Sequence, residues 1–166
     1  MASDGGVFSY GDAVFHGSAG SLKLNKPVVG MVPTTDGKGY WLVASDGGVF
    51  SYGDAVFYGS AGSLKLNQPV VGMTATPDGK GYWLTAADGG VFAYGDAVFY
   101  GSAGSLKLNQ PVVGMTATPD GKGYWLVARD GGVFAYGDAV FLGTPSSQQL
   151  TAPVVGVSAV GTTASG

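Results

Sequence analysis

The pentapeptide Asp-Gly-Gly-Val-Phe begins at Asp4, Asp46, Asp88 and Asp130, each copy 42 residues after the one before. Trp41, Trp83 and Trp125 keep the same step, as do Pro27, Pro69, Pro111 and Pro153. Residues 46–87 and 88–129 differ only at Ser51 against Ala93, Thr85 against Val127 and Ala87 against Arg129, so 39 of 42 positions match. Identity that includes surface positions marks either a recent duplication or a deliberate design. Such a chain folds as an array in which each unit buries its apolar faces against its neighbours.

Within a unit no stretch carries the 3.6-residue apolar spacing of a helix, and Gly or Pro interrupts every few residues. Glycine supplies 31 of the 166 residues, and the unit reads as β. Four short runs fit strands. Run a is 70–76, closed by the hairpin loop Pro77-Asp78-Gly79-Lys80-Gly81. Run b is 82–86, followed by the Asp88-Gly89-Gly90 turn. Run c is 91–94, and run d, 97–100, follows the Gly95-Asp96 turn. A polar linker, 101–110, leads to the next run a. Hydrophobic residues make up 45% and charged residues 11%, enough apolar surface to outweigh the entropy of ordering. Runs b and c are bulky on both faces, so both sides of each meander require cover. Four strands in 42 residues match the size of a propeller blade. The expected fold is all-β, a β-propeller-like array of four 42-residue four-stranded antiparallel meander units, one of them incomplete. Residues 1–160 form a single repeat domain with units beginning at Asp4, Asp46, Asp88 and Asp130, and residues 161–166 read as a frayed tail.

The segment Pro77-Asp78-Gly79-Lys80-Gly81-Tyr82-Trp83-Leu84 followed by Asp88-Gly89-Gly90-Val91-Phe92 resembles the strand-turn-strand core of bacterial β-propeller repeats of the YVTN/NHL kind. It is also similar to the Gly-Tyr-Trp-Leu-Val-Ala-Ser-Asp-Gly-Gly repeats found in tandem in secreted actinobacterial proteins, a run present here from Gly39 to Gly48. The resemblance covers nearly the whole chain and implies an extracellular or cell-surface setting, although no targeting signal is read in the sequence. The Gly-His and Trp-Asp pairs of WD repeats are absent.

Runs c and d occur four times and run a four times, but the Tyr-Trp-Leu run b occurs three times. The fourth unit also drifts, with residues 145–152 replacing the usual linker. These features are expected of part of a longer repeat protein. Three complete units would leave exposed strand edges and an uncovered blade face. Self-association is therefore expected, with a dimer that shares incomplete units and builds a ring of about eight blades. The competing arrangement is a four-bladed monomer whose termini meet.

Chemistry is sparse. A net charge of -3 gives no footprint for nucleic acid or anionic lipid, and no apolar run approaches the ~20 residues of a spanning helix. The eleven Asp occupy three repeat-equivalent turn positions, where the side chain caps its own backbone. Each such loop offers one carboxylate, whereas calcium loops concentrate several; coordination from neighbouring turns is the one metal arrangement left open. His16, the single histidine, occupies the place of Tyr58, Tyr100 and Leu142 and reads as a packing residue. With no Cys and no Glu, zinc sites and nucleophile-histidine machinery cannot be assembled. Gly79-Lys80-Gly81 lacks the spacing and the following Ser/Thr of a phosphate loop, and Lys38, Lys80 and Lys122 read as solubilising charges at hairpin tips. No enzyme activity, cofactor or bound metal is expected.

The candidate ligand-binding residues are the pairs Tyr40 and Trp41, Tyr82 and Trp83, and Tyr124 and Trp125. Strand neighbours point to opposite faces, so one ring of each pair serves each interface. Packing is their first use; stacking on sugar rings, with avidity from repetition, is the second. The chain therefore reads as a non-catalytic scaffold or binding module, and a glycan-binding, lectin-like propeller is the alternative.

Overall fold

A computed structural model describes residues 1–145 and 149–159. The expected tail, 161–166, and part of the drifting linker lie outside the described residues. The fold is all-β, with strands β1 (Val28–Pro33), β2 (Gly39–Ala44), β3 (Val49–Gly53), β4 (Val70–Ala75), β5 (Gly81–Ala86), β6 (Val91–Gly95), β7 (Val112–Ala117), β8 (Gly123–Ala128) and β9 (Val133–Gly137). They form three antiparallel sheets of three strands each, in the orders β1-β2-β3, β4-β5-β6 and β7-β8-β9. Each meander resembles a propeller blade, as the repeat pattern predicts.

The strand count per unit differs from that expectation. Run d joins no ladder among the described residues, and in the second, third and fourth units a side chain claims its backbone. Trp41, Trp83 and Trp125 donate Nε1–H to the carbonyls of Val56, Val98 and Val140 at 2.7, 2.8 and 2.9 Å. An indole projects from the face of its sheet, so run d is drawn over that face instead of lining up along the outer strand. Run c of the first unit and run a of the fourth also join no ladder among the described residues, since neither has a Tyr-Trp-Leu run beside it.

Turn chemistry follows from the sequence. Asp46 and Asp88 accept the N–H of Gly48 and Gly90 at 3.0 and 2.9 Å, and the glycine between, Gly47 or Gly89, sits at φ +83, a region that disfavours a Cβ. Each first strand carries a bulge, between Val28 and Gly30, Val70 and Gly72, and Val112 and Gly114.

The core lies between sheets. Trp41, Val43 and Val49 of the first sheet meet Val70, Tyr82 and Leu84 of the second, with Ala55 and Ala61 filling the seam. Trp83 and Val91 meet Val112, Tyr124 and Leu126 in the same way, with Ala103 in the seam. The free face of the first sheet, with Tyr40, Leu42 and Val28, is covered by Val7, Ala19 and Leu24 of the segment that precedes it. Backbone bonds tie the seams: Val70 N–H donates to Ser45 O at 2.9 Å and Val112 N–H to Ala87 O at 2.8 Å.

Candidate interaction surfaces

The six aromatic residues singled out in the sequence divide unequally. Tyr40, Trp41, Tyr82, Trp83 and Tyr124 are buried, at 4% exposure or less, and their ring faces are occupied by other protein rings. Trp41 meets Tyr82 edge-on at 5.8 Å between centroids, and Trp83 meets Tyr124 at 5.7 Å, both at an interplanar angle of 60°. The tyrosine hydroxyls are saturated as well. Tyr82 Oη donates to Gly59 O and accepts Tyr58 N–H, and Tyr124 does the same with Gly101 and Tyr100. These rings fasten one unit to the next, and burial raises the phenol pKa of Tyr82 and Tyr124. Trp125 alone of the six is half-buried, with part of its surface open to a ligand.

His16 fills the slot of Tyr58 and Tyr100, edge-on to Tyr40 at 5.7 Å. Tyr58 and Tyr100 donate to Gly79 O and Gly121 O, both at 3.2 Å, whereas the buried His16 Nε2 has no hydrogen-bond partner among the described residues. The imidazole packs where a phenol would also bond.

Sequence reasoning missed a polar hub at one end of each sheet. Thr34 Oγ1 lies 3.0 Å from Asp36 Oδ1 and 3.1 Å from Asp54 Oδ1, and accepts Gly39 N–H at 3.0 Å. Thr76 gathers Asp78 and Asp96 at 3.0 and 3.1 Å, and Thr118 gathers Asp120 and Asp138 at 2.9 and 3.1 Å. The recurring Thr-x-Asp-Gly at 34–37, 76–79 and 118–121 is the signal that could have located it. A single hydroxyl proton shared between two carboxylates joins the hairpin loop to the turn after the third strand. Lys38, Lys80 and Lys122 pair with Asp36, Asp78 and Asp120 at 3.2, 3.5 and 3.6 Å, all well exposed. Among the described residues no group of three or more His, Cys, Asp or Glu side chains is arranged to hold a metal ion.

The loop carboxylates set a pH dependence. The backbone N–H of Lys38, followed by its side chain, lowers the Asp36 pKa from 3.8 to about 2. Asp78 and Asp120 are lowered in the same direction, first by the backbone N–H groups of Lys80 and Lys122. A folded-state pKa below the unfolded value adds stability that is present above the unfolded pKa and disappears as pH falls through the folded one. The melting temperature should therefore hold at neutral pH and decline between pH about 4 and about 2. Thermal melts across that range check this; Asp36→Asn, Asp78→Asn and Asp120→Asn combined should flatten the decline.

The largest exposed apolar groups recur with the repeat. In run d, Val56 and Phe57, Val98 and Phe99, and Val140 and Phe141 are each more than half exposed, with Phe57 and Phe99 both at 56%. Val14 and Phe15 repeat the arrangement in the first unit. These are consecutive residues of a run that joins no ladder, so both side chains of each pair stand in water. Among the described residues no helix is long and apolar enough to cross a membrane.

Comparison with known proteins adds the following. Neither a family profile nor a curated protein sequence matches the chain. Solved structures with a similar course include the β-propeller domain of Cps50 (Swd1) from Myceliophteria thermophila, at 11% identity and a TM-score of 0.48, over 72% of this chain and 44% of that one. Raptor from Chaetomium thermophilum is similar at 10% identity and a TM-score of 0.46, over 73% of this chain and 12% of that one. The chain thus spans less than half the length of these structures.

Proposed function

We propose that this chain is a non-catalytic repeat scaffold that joins polypeptides through the apolar groups presented once per unit, further copies of the chain being its first partners. The observation that supports this reading is the exposed Val-Phe pair of run d, which recurs at the same place in every unit. Exposed apolar groups that recur in register suit multivalent contact, in which weak single contacts add up by raising local concentration. A catalytic reading has no support in the site chemistry: the carboxylates repeat in like surroundings, and the single His16 is packed against Tyr40. The resemblance to secreted actinobacterial repeats adds a cell-surface setting to the proposal.

Light scattering over a dilution series tests it. The expected mass lies above 16.6 kDa and rises with concentration, and Phe57→Ser combined with Phe99→Ser returns it towards the monomer. A mass of one chain at every concentration overturns self-association.

A further inference from the structure

Each indole between sheets is closed by a tyrosine from the next middle strand, Trp41 by Tyr82 and Trp83 by Tyr124. Trp125 has no such ring beside it among the described residues, and its surroundings are open in a concerted way. Leu142, in the slot of the half-buried Tyr58 and Tyr100, is 89% exposed. Residues 154–159 occupy the position of a further first strand. Val154 N–H donates to Arg129 O at 2.9 Å, as Val70 does to Ser45 and Val112 to Ala87. A Cβ on Gly114 would meet Val157 at 3.5 Å, and Ala159 N–H donates to Thr116 Oγ1 at 3.1 Å. No strand pairs with the outer edge of this segment among the described residues, and Val155 is 86% exposed.

We propose that this edge accepts an extended Gly-Tyr-Trp-Leu-x-Ala strand from a second polypeptide bearing the same repeat, laid antiparallel to residues 154–159 with its tyrosine closing on Trp125. Strand addition to an open edge takes affinity from main-chain hydrogen bonds and specificity from alternate side chains. The internal sheets supply the register. In the second sheet Val70 faces Ala86, Gly72 faces Thr85, Met73 faces Leu84, Thr74 faces Trp83 and Ala75 faces Tyr82. Carried forward by two 42-residue repeats, Val154, Gly156, Val157, Ser158 and Ala159 take the first-strand places. The incoming tyrosine then lies opposite Ala159. Its hydroxyl reaches Gly143 O and Leu142 N–H, the counterparts of the two groups that Tyr82 Oη bonds.

An intact second copy is not the occupant. Its own Tyr-Trp strands are each paired on both edges, and its Tyr40 face is covered by its own leading segment. The proposal concerns the end of the array and does not depend on the Val-Phe pairs of run d.

The test uses the full chain, held at the lowest concentration at which it is monomeric, and a labelled synthetic peptide with the sequence of residues 78–87. Saturable one-to-one binding is expected by fluorescence anisotropy, and replacing the peptide's Tyr by Ala should weaken it about tenfold, the loss of one buried aromatic contact. Trp125→Ala in the protein should weaken it to a similar degree. Because the chain has no cysteine, Val157→Cys should form a disulfide with a peptide carrying Cys at the Leu position, and not with one carrying it at the adjacent Trp position. Absence of saturable binding overturns the proposal, as does binding indifferent to the peptide's Tyr or crosslinking without register preference. The peptide-side variants leave the protein's folding untouched. Failure here with concentration-dependent mass intact sinks the strand-addition idea alone, whereas peptide binding by a strictly monomeric chain sinks the self-association reading alone.

Discussion

Replacing Trp83 by Ala is expected to destabilise the fold by about 3–5 kcal/mol, the range for removing a buried large aromatic. The indole has 0% exposure, packs at an angle against Tyr124 and holds run d through Val98 O, so its loss opens a cavity and releases a segment. The same change at Trp125 should cost less, about 2–3 kcal/mol, because a partly exposed ring removes less apolar area from water and has no tyrosine to lose. Urea titrations of the two variants, read at constant slope, decide the matter. Equal losses would mean that Trp125 is as fully packed in solution as Trp83, and the open end described above would not exist.

A comparable loss is expected from a change that adds a single methyl group. Gly95 lies at φ +69, and a Cβ there would stand 2.3 Å from Lys80 O and 2.8 Å from Gly81 Cα. Those are backbone atoms of the middle strand's entry and cannot swing aside as a side chain would. Gly95→Ala should cost about 2–5 kcal/mol, the sum of a left-handed conformation and an overpacked contact. Gly37 offers the control. It has a similar φ of +71 but nothing within 4 Å of the added methyl, so Gly37→Ala should cost only the conformational part, about 1–2 kcal/mol. Thermal melts of both variants check the difference, and equal shifts would remove the steric half of the argument.

How far the sequence announced this structure depends on which physics was local. The turns were legible because Asp46 and Gly47, or Asp88 and Gly89, are both cap and hinge within consecutive residues. The two-faced bulk of Tyr82, Trp83 and Leu84 announced sheets covered on both sides, and the covers are the neighbouring sheets. Run d has the composition of a strand, Ala-Val-Phe-Tyr. In three units its backbone is instead held by a long-range bond from an indole fifteen residues earlier in the chain, at a distance no periodicity records. The linker is polar in composition, yet Ala19, Ala61 and Ala103 within it are completely buried; a small residue flanked by Ser and Gly gives no apolar pattern to read. The aromatic pairs were legible as the heart of the unit, but which ring stays reachable depends on the position of its unit in the array. Trp41 and Trp125 are therefore alike in sequence and unlike in exposure.

The seam residues Ala55 and Ala61 follow the first sheet in the chain yet fill the core shared with the second. The units overlap like roof tiles, each laying its trailing edge under the next course, and the stretch that repeats is not the stretch that packs. Cutting out Val28 to Pro69 would remove a sheet together with the cover of its neighbour, while leaving behind the cover made for it by residues 7–24. Splicing another 42 residues into the array, in any phase, would create only overlaps the protein already contains. Length can thus change by whole courses without any new contact having to be invented.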